Sequence, residues 1–348
     1  SAKMHKAISV IQFKLEGQLI ERYPRWNMDH RNVLKKVDFK RGVFVHEGID
    51  YPLLDTNFPT IDPDDPLRLS DEEEELVRSL EASFRNSEPL HRHIRFLYSN
   101  GATYLNVNKN LLFHGCVPLK EDGSFQEVPV TGKKYYGREL FDELNAVIHD
   151  AYFQPDGSPE RIRACDYMLY LWCGSLSPLF GKSQMSTFEN FFVEDKALRK
   201  EVYNPYFEHS NHEETCKMIL ENFGLDPEIA RIINGHVPVK AKEGESPVKA
   251  NGKLYVIDGG LAKAYQKRTG INGYTLIFNS HHLALAEHHD FETIESDMGS
   301  YTPRVFIVQP MKHRLQEKHT DLGKEISARI SELRDLIEAF KRGNIKEK

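Results

Sequence analysis

Two histidines and one aspartate stand where a short apolar run meets glycine. Residues 232–260 read Ile-Ile-Asn-Gly-His-Val-Pro-Val, then a Lys- and Glu-rich loop, then Lys-Leu-Tyr-Val-Ile-Asp-Gly-Gly. Each apolar run has the length and composition of a buried strand, and each delivers one polar residue at its end, His236 or Asp258. Leu111, Leu112 and Phe113 repeat the arrangement, running into His114, Gly115, Cys116, Val117 and Pro118. In α/β proteins ligands gather beyond the carboxyl ends of strands, and glycine lets backbone or ligand approach closely. Neutral imidazole is a common ligand of Zn, Mn and Fe. The plainer reading of either histidine is a hydrogen-bonded structural residue at a strand end. For Asp258 it is closure of a tight glycine turn, with orientation of a histidine as the alternative.

The elements that must position these residues follow from spacing. Ala7, Ile8, Ile11, Leu15 and Leu19 predict an opening helix that ends near Tyr23-Pro24. A hairpin is expected at 42–51 about Glu47-Gly48, and a capping box starts a helix at Ser70 with Glu73 three residues on. The acidic run 71–75 reads as a solvated first turn rather than a metal cluster. Strands are expected at 102–107 and 111–114, and helices at 136–152 and from Pro159 to Gly174. A further helix is capped by Asn211 with Glu214 and closed by Gly224. Segments 274–278, 283–287 and 305–308 alternate as antiparallel strands finishing a sheet. A terminal helix from Asp321 carries Leu322, Ile326, Ile330, Leu333, Leu336, Ile337 and Phe340, a stripe suited to docking or a subunit contact. The expected organisation is a lead-in over 1–66, a core over 67–320 and the helix 321–348.

At 348 residues with a net charge of −6, the chain can bury a large core and has no bulk attraction for nucleic acid or anionic membrane. No apolar run approaches the roughly eighteen residues that span a bilayer, and the start lacks a signal-peptide h-region, so a cytoplasmic location is expected. Cys116, Cys165, Cys173 and Cys216 form no C-x-x-C pair and are expected as free thiols.

Several blocks in order resemble a known family. Residues 113–118 and 234–239 look like the two late histidine motifs of calcineurin-like metallophosphoesterases. Ile11-Gln12-Phe13-Lys14-Leu15-Glu16, Leu179-Phe180-Gly181-Lys182, Thr187-Phe188-Glu189, Ile257-Asp258-Gly259-Gly260, Lys263-Ala264-Tyr265-Gln266 and 270–276 resemble, more narrowly, the class III (Firmicutes-type) fructose-1,6-bisphosphatases. The resemblance implies an α/β fold, a four-layer α/β/β/α calcineurin-like sandwich. It also implies two divalent ions, usually Mn2+, that clamp a phosphate and activate a hydroxide. Carried over by motif, His114 and His236 are metal ligands.

The family's early carboxylate motifs, of the D-x-H, G-D-x-x-D-R-G and G-N-H-D types, are absent from these 348 residues. Two imidazoles cannot hold two dications alone, because nothing negative would lie between the ions. With the opening helix uncapped and Met first at position 4, the expectation is a C-terminal portion of a longer enzyme, inactive alone, its fold incomplete for want of an N-terminal part.

The expected activity of the parent is hydrolysis of the 1-phosphate of fructose 1,6-bisphosphate in gluconeogenesis. A noncatalytic assembly or regulatory half, and a metallophosphatase with another phosphoester substrate, are the alternatives. Lys182, Arg138, Lys263 and Arg268 are candidate phosphate contacts, with a surface lysine the plainer reading of Lys182. Trp172 and Tyr265 read as packing. No nucleic-acid or membrane partner is expected, and a homo-oligomer is.

Overall fold

In the computed structural model, which describes residues 2–260, 269–288 and 302–345, the apolar spacing of the opening residues produces the helix Ala2–Arg22. Val10, Ile11, Phe13 and Ile20 are buried along it, and it stops one residue before Tyr23-Pro24. By internal contact the chain divides into two units. Ser1–Thr103 with Gly115–Glu208 make the first, and Tyr104–His114 with His209–Lys348 make the second.

This division differs from the expected cuts at 66 and 320. The lead-in is tied across residue 66 by charge and backbone. Lys14, fully buried, pairs with Glu73 at 2.6 Å and donates to the Thr60 carbonyl, while Gln18 donates to the Leu67 carbonyl. The terminal helix is likewise held, at Asp321, to the turn at Asn108. The Asn108 backbone N–H donates to the Asp321 carboxylate, and the Asp321 N–H donates to the Asn108 side-chain oxygen at 2.9 Å.

In the first unit the helix Asp71–Arg85 begins with the capping box read from the sequence. Ser70 accepts from the Glu73 N–H, and the Glu73 carboxylate accepts from the Ser70 N–H at 2.9 Å. Ser70→Ala should cost about 1 kcal/mol, read as a lowered urea midpoint with an unchanged m-value.

The hairpin forms between Val43–His46 and Ile49–Pro52, turning at Glu47 and Gly48, both with positive φ, and Val37–Asp38 adds a third strand. The helices Gly137–Phe153 and Pro159–Cys173 pack Leu140, Leu144 and Val147 against Ala164, Tyr167, Tyr170 and Leu171. Gly174 stops the second helix with φ −71° rather than a left-handed cap. A Cβ there would lie 2.6 Å from the Tyr170 carbonyl oxygen, so close approach is what demands glycine.

All four cysteines are free, as expected. Cys116, Cys173 and Cys216 are buried and Cys165 is exposed. Burial pushes the Cys173 and Cys216 thiols up to about 12 and the Cys116 thiol higher still.

The second unit is built on a five-stranded sheet in the order Tyr104–Val107, Asn110–Phe113, Arg231–Asn234, Leu254–Val256, Val248–Lys249. The three middle strands run parallel and are almost wholly buried, which explains their continuous apolar runs. The first pair turns on Asn108 and Lys109, with φ 50° and 65°, the backbone of a tight hairpin turn.

The helix Glu213–Asn222 is present, but its cap is not Asn211. His212 occupies the cap position and supplies no side-chain bond, and the helix starts one residue later than an Asn211 cap requires. Strands Gly273–Phe278, His282–His288 and Arg304–Pro310 form the expected antiparallel meander. They make a sheet of their own rather than finishing the first. The backbone bond recorded from Tyr274 N–H to the Ile257 carbonyl joins the two without a ladder. Along the terminal helix Asp321–Lys341 the apolar stripe is exposed, with Leu322 at 62% and Leu336 at 50%. No helix among the described residues is long and apolar enough to cross a membrane.

Candidate functional site

The register of the parallel strands decides what meets at their ends. Leu112 pairs with Ile233, Leu254 with Ile232 and Val256 with Asn234, so Phe113, Asn234 and Val256 finish almost level. His114 follows the first, Gly235-His236 the second and Ile257-Asp258 the third. Backbone bonds extend the alignment past the strands. Gly235 N–H donates to the His114 carbonyl at 3.0 Å, Ile257 N–H to Asn234 at 2.9 Å, and Val239 N–H to Asp258 at 2.8 Å.

The two imidazoles, 122 residues apart in sequence, meet there. His236 Nδ1 lies 2.9 Å from His114 Nε2, with ring centroids 4.8 Å apart and planes at 72°. One of the two nitrogens carries the shared proton and the other accepts it. His236 has φ 68°, and the Val237 N–H closes on the Gly235 carbonyl at 2.8 Å across it. That is the form of a classical γ-turn, rare and strained for a residue with a side chain. Strain of this kind persists where surrounding structure enforces it, here the bond from Gly235 to His114.

Asp258 does what its glycine neighbours imply. Its Oδ1 accepts from the Gly260 N–H at 2.8 Å, closing a short turn. Gly259 has no room for a side chain, since a Cβ would lie 2.3 Å from the Gly273 nitrogen. The carboxylate is also near enough to act electrostatically on His114. Burial lowers the His114 pKa from its ordinary 6.5, and the negative charge of Asp258 opposes that shift without reversing it. The folded state therefore holds His114 neutral more firmly than the unfolded chain does. The stability this contributes is complete above pH 6.5 and is lost as pH falls from 6.5 toward the lowered folded value. A proton NMR titration should place the His114 midpoint below 6.5 and Asp258→Asn should lower it further.

Of the other nominated residues, Lys182 and Arg138 belong to the first unit. Lys182, in the first unit, pairs with Glu201 at 2.7 Å, and the second Glu201 oxygen accepts from the Ser186 N–H. Its charge has an internal partner, which a residue 19 positions further on supplies and which spacing did not reveal. Arg138 forms an exposed pair with Asp142 one helical turn along. Trp172 is half exposed beside the Arg31 guanidinium, 5.5 Å from its ring. Lys263, Arg268 and Tyr265 lie outside the described residues.

Two imidazoles at this separation suit joint ligation of one ion, but Mn2+ takes about six donors and favours oxygen. Among the described residues no three His, Cys, Asp or Glu side chains converge as a metal-holding group. A binuclear centre therefore does not fit the described residues alone.

With this geometry in view, a family profile described as Firmicute fructose-1,6-bisphosphatase matches residues 1–342. The chain belongs to this family. Members similar to it include a "Fructose-1,6-bisphosphatase class 3" of Finegoldia magna, 50% identical over 348 residues, covering 100% of this chain and 54% of that protein. One from Bacteroides fragilis is 50% identical over 352 residues, covering 99% of this chain and 53% of its own length. One from Listeria innocua is 48% identical over 349 residues, with 99% and 53% covered. The chain thus spans about half the length of the curated family members it matches. No solved structure matches it.

Proposed function

We propose that this bisphosphatase-family chain works in hydrolysis of the 1-phosphate of fructose 1,6-bisphosphate, yielding fructose 6-phosphate and phosphate, a step of gluconeogenesis. The observation that carries the reading is the meeting of His114 and His236 at the ends of parallel strands in a chain of this family. The five-stranded sheet, with its ligand candidates past the carboxyl ends, is in this reading part of a calcineurin-like core. His114 and His236 supply the nitrogen ligands of a divalent centre, with Mn2+ the expected ion. Its carboxylate ligands come from outside the described residues. Asp258 holds the turn and keeps a negative charge beside His114 rather than ligating.

It follows that residues 1–348 by themselves turn over no fructose 1,6-bisphosphate. The test uses two proteins. One is residues 1–348 alone. The other is the Finegoldia magna enzyme with its matched region replaced by residues 1–348. With Mn2+, the chimera should release phosphate from fructose 1,6-bisphosphate far faster than from an aryl phosphate, and the isolated chain should release none. Equal rates on both esters would point to another substrate. An inactive, folded chimera would point to a noncatalytic role, and brisk turnover by the isolated chain would refute the incomplete ligand set.

A further inference from the structure

The strand that ends toward His236 begins with Arg231, and its other end opens on a cavity of about 570 Å³ within the second unit. Five cationic side chains line it, those of Lys109, Arg231, Lys312, Lys318 and Lys324, against one carboxylate, Glu228. Glu228 is already engaged, paired with Lys217 at 3.0 Å. Of the cations, Lys324 has Asp321 at 3.6 Å, and Lys109, Lys312 and Lys318 have no ion pair among the described residues. Phe278, Met311 and Leu315 give the cavity an apolar side.

Arg231 is the unusual member. It is only 8% exposed, yet its recorded side-chain partners are neutral, the Gln309 amide oxygen and the Tyr255 hydroxyl. Burial pulls the guanidinium below its ordinary value, with Tyr255 opposing. A guanidinium nevertheless stays charged in proteins, and a buried charge without a counter-charge is costly. An anion placed in the cavity would supply what the fold withholds.

We propose that this cavity binds a phosphorylated small molecule, with Arg231 anchoring the phosphate from below and the exposed lysines 109, 312 and 318 enclosing it. The volume lies within the range of small-molecule sites, which argues against an extended polyanion. A phosphate ester carries about two negative charges near pH 7, matching several cations better than a single carboxylate does. The guanidinium fork matches its oxygens in pairs. The apolar side leaves room for an organic portion. At 3.3 Å per residue the site lies roughly 15 Å along the strand from His236, so it is separate from the histidine pair.

Inorganic pyrophosphate serves as the probe, titrated calorimetrically into the full chain at fixed ionic strength, with succinate as a carboxylate comparison. Saturable one-to-one binding is expected, with succinate much weaker. Arg231→Gln should weaken it about tenfold or more. The surface pair Lys312→Glu with Lys318→Glu, which removes no buried group, should do the same, while His236→Asn should leave it unchanged. No saturation at millimolar pyrophosphate, equal binding of succinate, or indifference to the lysine reversal would each overturn the proposal. Loss of binding in His236→Asn alone would place the anion at the histidine pair, overturning this site while leaving the phosphatase reading intact.

Discussion

His236→Asn should lower the Mn2+-dependent turnover of fructose 1,6-bisphosphate by the chimeric enzyme about hundredfold or more. Loss of groups that merely orient a metal ligand already costs about 10- to 100-fold, and His236 is proposed as a ligand itself. Asparagine is chosen because it is among the residues that tolerate a positive φ, 68° at this position. The turn, and with it the bond from Gly235 to the His114 carbonyl, should survive. Circular dichroism and the urea midpoint should therefore match the parent while Mn2+ affinity falls. His114→Ala should show a similar loss. The double variant should be little worse than either single one, since groups serving one ion act as a unit. If both single variants kept full activity and Mn2+ affinity, the histidines would be structural and the metal reading would fail.

The second large effect concerns stability. Lys14→Met should destabilise the first unit by about 3–5 kcal/mol, because it leaves a buried carboxylate without its partner. Lys14 is fully buried and the Glu73 side chain is 7% exposed. Burial on its own would raise the Glu73 pKa. The bond from Lys14, helped by the Ser70 N–H, outweighs it and holds the carboxyl below its ordinary 4.5. The stabilisation is therefore complete above pH 4.5 and is lost as pH falls through the lowered folded value. Adding Glu73→Gln to Lys14→Met should restore most of the loss, since the amide keeps the reciprocal cap with Ser70 and carries no charge. Urea unfolding of the parent and the two variants at pH 7 measures both. A cost below about 1 kcal/mol for Lys14→Met would mean that water reaches the pair.

What the residue order made legible is what depends on near neighbours. The capping box at Ser70, the turn at Glu47-Gly48 and the strand ends at His114 and His236 each rest on residues a few positions apart. What it concealed depends on pairing at a distance. Nothing near position 113 shows that this strand lies parallel to one beginning at Arg231, yet that register brings the imidazoles together. Alternation located the three late strands, but alternation is indifferent to which sheet a strand joins, and they form their own. The pairing of Lys182, a candidate phosphate contact whose plainer reading is a surface lysine, is hidden because Glu201 is not adjacent to it. Arg231 carries no signal in the residue order, because a lone arginine at a strand start becomes unusual only where its surroundings are neutral.

The fate of the sulfhydryl groups carries a practical consequence. With Cys116, Cys173 and Cys216 shut inside and Cys165 facing solvent, a maleimide dye should attach at one position without any engineering. That position lies on the helix Pro159–Cys173, which packs on Gly137–Phe153. The native sequence thus provides its own fluorescent reporter for following how this helical pair comes apart in denaturant.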